Sequence, residues 1–80
     1  MKKRAAPKNI FPLGTLIAIA LKDKEYSVGM ILEHEIDSHL HHWYRVEWYF
    51  KHDIWQEKLT PNEISIYIKD YKKMRKALGI

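Results

Sequence analysis

The 80-residue chain contains no cysteine, so no disulfide can brace it. That absence matters at this size, because so short a chain buries only about 60% of its unfolded surface and keeps a thin stability margin. Its core must rest on large side chains, and three Trp, five Tyr and two Phe supply them. Lack of Cys also fits a reducing compartment. There is no long hydrophobic run: the longest nearly apolar stretch, 13–21, is too short to span a bilayer. Met1-Lys2-Lys3-Arg4 begins like a signal peptide, but Ala5-Ala6-Pro7-Lys8 stands where its apolar stretch would begin. The expectation is a soluble chain with no membrane partner.

Catalytic groupings are missing as well. Ser27, Ser38 and Ser65 have no base beside them, no Gly-rich loop precedes a helix, and no carboxylate pair has an acid–base setting. The reading is not an enzyme, with no cofactor. Histidine is the one clustered titratable type: His34, His39, His41 and His42, then His52. Imidazoles at this density can hold a divalent metal, and His39, His41 and His42 are the weak candidates. They lie mostly in a polar turn without a second ligand spacing, so a solvated turn accounts for them better; a pH response, as several His gain charge beside the acidic body, is a separate reading.

Charge is unevenly distributed. Lys2, Lys3, Arg4 and Lys8 make the start basic, and Lys69, Lys72, Lys73, Arg75 and Lys76 face only Asp70 near the end. Between them lie five basic and nine acidic residues, so two basic ends flank an acidic body. Such ends suit a polyanion or an acidic protein surface, and the body would repel one.

Hydrophobic periodicity organises the rest. Pro7 and Pro12 mark 1–12 as an extended basic arm, with Ile10 and Phe11 positioned to tack it to the domain. Residues 15–21 are apolar on both alternating sets, which predicts a strand covered on both sides. After a charged loop at 22–25, residues 26–36 form a second strand, with Gly29 marking a bulge or sharp bend. The strongest strand is 43–50: Tyr44, Val46, Trp48 and Phe50 share the core face, with Trp43, Arg45, Glu47 and Tyr49 opposite. A short strand at 54–58 follows, anchored by Trp55.

Residues 59–68 support two readings. Thr60, Pro61 and Glu63 fit a helix start, whereas Ile64, Ile66 and Ile68 alternate as in a strand. The favoured reading is a turn at 60–63, a closing strand at 64–67 and a helix over 68–78. That helix carries Ile68, Tyr71, Met74 and Leu78 on one face and ends at Gly79. The alternative is one helix from Pro61.

Gly14-Thr15-Leu16-Ile17, Val28-Gly29-Met30-Ile31-Leu32, Trp43-Tyr44-Arg45-Val46-Glu47-Trp48 and Trp55-Gln56-Glu57-Lys58-Leu59 occur in an order that resembles SH3-like small barrels of the Tudor, chromo and KOW type. More closely, the chain resembles small uncharacterised proteins of tailed bacteriophages. The resemblance covers about 13–68 and implies a mainly β fold: a five-stranded SH3-like barrel between a basic arm (1–12) and a basic amphipathic helix (69–80). It implies a non-enzymatic protein-interaction module, a phage accessory or virion-associated structural protein found in the host cytoplasm or the virion. The partner would be a protein or larger assembly, bound through Trp43, Arg45, Tyr49 and Trp55. The alternative is a nucleic-acid-binding barrel using Lys2, Lys3, Arg4, Lys8, Lys72, Lys73, Arg75 and Lys76 on phosphates. The net acidic body departs from the basic barrels of KOW-type binders.

Overall fold

A computed structural model describes residues 11–80. The arm assigned to 1–12 therefore lies almost wholly outside the described residues. The chain forms strands β1 (Leu16–Ala20), β2 (Tyr26–Ile36), β3 (His42–Phe50) and β4 (Asp53–Leu59), then helix α1 (Pro61–Leu78). The strands make one antiparallel meander in the order β1-β2-β3-β4. β1 and β4 are its edges and do not pair with each other, so the sheet is open.

The closing strand expected at 64–67 is helical, and four strands rather than five are found among the described residues. Helix-start chemistry overrides the isoleucine alternation here. The Thr60 hydroxyl accepts the Glu63 N–H at 3.3 Å, while the Glu63 carboxylate accepts the Thr60 N–H at 2.8 Å. Pro61 occupies the first turn, where its missing N–H costs nothing. Ile64 and Ile68 then fall on one helix face against the core, and Ile66 is left exposed. Gly79 closes the helix at φ 76°, with its N–H donating to the last-turn carbonyls. Replacing Thr60 by Ala should cost about 1 kcal/mol, read as a lower urea midpoint with an unchanged m-value.

Register explains the core. Ile17, Gly29 and Trp48 lie in one cross-strand row, and Ile31 pairs with Val46 in the next. Tyr44, Val46 and Trp48 are fully buried, as the alternation predicts, whereas Phe50 at the strand's end is half-buried. Trp48 meets Tyr67 of α1 edge-on at a centroid distance of 5.5 Å. Its indole N–H donates to Glu57 at 2.7 Å. Gly29 sits in regular pairing, so it is not the bend; the irregularity falls between Ile31 and Glu33. The glycine is needed because a Cβ there would lie 2.7 Å from a Trp48 ring carbon.

The helix packs chiefly on β1 and only lightly on β3. This offset is what leaves one side of the sheet bare. Tight turns connect the strands with few glycines available. Asp23, Lys24, Leu40 and Lys51 all adopt positive φ, between 56° and 65°.

Candidate functional site

The four aromatic and basic residues expected to meet a partner divide between two faces. Trp43, Arg45 and Tyr49 share the face away from the helix, because they alternate with the core residues of β3. Trp55 pairs with Trp48 and therefore lies on the helix side.

Arg45 and Trp43 are engaged within the molecule. Arg45 bridges Glu33 (3.2 Å) and Glu35 (3.4 Å), and Lys58 reaches Glu35 at 3.0 Å. This ladder, led by the Lys58 hydrogen bond, holds the Glu35 carboxyl below the usual range. The Trp43 indole N–H donates to Asp37 at 3.0 Å. Asp37 also accepts the backbone N–H groups of His39 (2.8 Å) and His41 (2.9 Å), fastening the β2–β3 turn. Those bonds, the Trp43 one foremost, lower the Asp37 pKa. Tyr49 packs in the row with Val28 and Ile54, where burial and the neighbouring Glu47 raise its phenol pKa.

The histidines separate rather than converge. His39 and His41 stay at the turn, with ring centroids 6.1 Å apart. His42 stacks instead on His34 at 4.9 Å, and one ring nitrogen donates to the other at 2.7 Å. His34 in turn lies flat on Tyr44 at 4.7 Å. Among the described residues no three His, Cys, Asp or Glu gather as metal ligands.

Acid should loosen this end of the sheet. Asp37 and Glu35 have folded-state pKa values below their unfolded ones. Their contribution is therefore present above the ordinary carboxylate range, about 4, and is lost as pH falls through the depressed values. Urea midpoints should fall on the acid side, and Asp37→Asn should flatten part of that fall.

What remains open is β4. All six residues from Asp53 to Lys58 are exposed, with Ile54 at 64% and Trp55 at 42%. Trp55 is expected to anchor its strand; it stays exposed although it lies on the helix side, because α1 packs chiefly over β1, at the other edge of the sheet. Among the described residues β4 is also an unpaired edge of seven residues, while the other edge, β1, has five and lies beneath the helix. Asp53, Ile54 and Glu57 were not singled out from the sequence. Their alternation about Trp55 gains meaning only once β4 is known to be an edge.

The helix carries its basic residues outward. Lys69, Lys72, Lys73, Arg75 and Lys76 are all exposed, and Tyr71, Lys72, Arg75, Lys76 and Ile80 line a shallow hollow. Lys2, Lys3, Arg4 and Lys8 lie outside the described residues. No helix among the described residues is long and apolar enough to cross a membrane.

Fold and site together define a mainly β domain: an open four-stranded sheet, capped by a C-terminal helix, with one bare aromatic edge. Comparison with protein families, characterised proteins and solved structures finds no match.

Proposed function

We propose that this chain is a non-enzymatic protein-interaction module that receives an extended partner segment along β4. One observation carries the reading: among the described residues, β4 is bare on both faces from Asp53 to Lys58 and has no strand paired along its outer edge. Unpaired backbone groups on such an edge template an added strand, and side chains at alternate positions select it. Trp43 and Arg45 have intramolecular partners already, so Ile54 and Trp55 are the better contact residues. A strand added to β4 would also supply the fifth strand that the SH3-like resemblance implies. The role as a phage accessory or virion-associated protein rests on the sequence resemblance alone.

The competing reading is nucleic-acid binding through the exposed basic face of α1. Photocrosslinking separates the two. A crosslinker in place of Ile54 should capture protein in lysates of the producing cells, and one in place of Lys72 should capture little. Nuclease-sensitive, salt-sensitive adducts at position 72 with none at 54 would favour nucleic acid. Mass spectrometry of purified particles tests the virion role.

A further inference from the structure

We infer that the β4 edge selects an extended segment with basic residues at alternate positions and apolar ones between them. The inference rests on the proposed strand-receiving role and specifies the chemistry of the partner. Strand periodicity places Asp53, Trp55 and Glu57 on the helix side of β4, about 7 Å apart. Ile54, Gln56 and Lys58 lie on the other side.

Charges on that other side are already matched within the sheet. Lys58 is held by Glu35 at 3.0 Å, and Gln56 donates to Glu47 at 3.3 Å. Ile54 is left as the exposed feature there. On the helix side the balance differs. The Asp53 carboxylate has no charged or hydrogen-bonding partner among the described residues, its backbone alone pairing with Phe50. Glu57 accepts the Trp48 indole N–H through Oε1, and its second oxygen has no partner among the described residues.

An added strand therefore meets carboxylate, indole, carboxylate on one face and an isoleucine on the other. Guanidinium groups fit the first pattern best, because they pair with carboxylates and stack on indole. Aliphatic side chains fit beside Ile54. The wider field favours the same partner: residues 11–60 hold five basic and eight acidic side chains, which steers a cationic segment toward the sheet.

The test uses the full chain, labelled with ¹⁵N, and synthetic peptides of about ten residues, a typical upper strand length. The peptide alternating Arg and Val should shift β4 amides and the Trp55 indole signal. Its affinity should fall about tenfold in the Asp53→Asn/Glu57→Gln double variant, whose remaining spectrum should overlay the native one. The peptide alternating Glu and Val should not bind. Equal binding of both peptides at β4 would overturn the basic pattern while leaving the strand-receiving role intact. Shifts confined to 69–76, or none at all, would overturn both, as would β4 already occupied by a second copy of the chain.

Discussion

Gly29→Ala should destabilise the protein by about 2–3 kcal/mol, the upper part of the range for overpacking a tight core. The added methyl carbon would fall 2.7 Å from one ring carbon of Trp48 and 3.0 Å from the next. Neither group can move cheaply. Trp48 is fully buried, bonded to Glu57 through its indole and held edge-on by Tyr67. Gly29 is fixed between Ile17 and Trp48 by pairing on both sides. For a domain this small the cost is a large part of total stability. The cause can be isolated by a double-mutant cycle. Combined with Trp48→Leu, which removes the ring, Gly29→Ala should lose most of its penalty, so the two effects should fall well short of adding. Additive costs would show that the glycine serves some other purpose.

The second large effect is a gain. Lys24, Leu40 and Lys51 adopt φ of 61°, 65° and 56°, a region that costs an ordinary L-residue roughly 1–2 kcal/mol. Glycine removes that cost but adds unfolded-chain entropy, leaving a net gain of about 0.5–1 kcal/mol per site. Leu40 is 77% exposed, so its side chain gives up little packing on replacement. Lys51 loses an exposed pair with Glu25 and a contact above the Phe50 ring, both weak at the surface. The triple glycine variant should therefore gain roughly 2 kcal/mol and melt about 8–16 °C higher, given the usual sensitivity of domains this size. Calorimetry checks it. A triple variant no more stable than the native chain would contradict the left-handed assignment of these turns.

The core strand was legible because its signal is local. Tyr44, Val46 and Trp48 alternate with charged or half-polar residues, and only one face can be buried without burying Arg45 and Glu47. The helix C-cap at Gly79 was legible for the same reason. Residues 64–68 misled because isoleucines at successive even positions satisfy a strand, while two of them four apart also satisfy a helix. The Thr60–Glu63 capping box decides between these, and its weight is a matter of energy rather than pattern. Gly29 was recognised as special, but its reason is a neighbour nineteen positions away, known only from the register.

The site was less legible than the fold. Trp43, Arg45 and Tyr49 do share an outer face, yet the partners of Trp43 and Arg45 come from β2 and its turn, which no single-strand pattern reveals. Trp55 reads from the sequence as the anchor of its strand, yet it is exposed, because the cover that would bury it is a matter of where the helix packs. The positive-φ turns carry Asp, Lys and Leu instead of glycine, so composition concealed them.

Amide hydrogen exchange along β4 tests the central claim most directly. With an open edge, amides directed at β3 should be protected, while the alternate amides over 53–59 exchange as fast as exposed backbone. Along β3, paired on both sides, protection should be continuous. Unbroken protection along β4 in the free monomeric chain would mean the edge is already covered, and would contradict a strand-receiving site there.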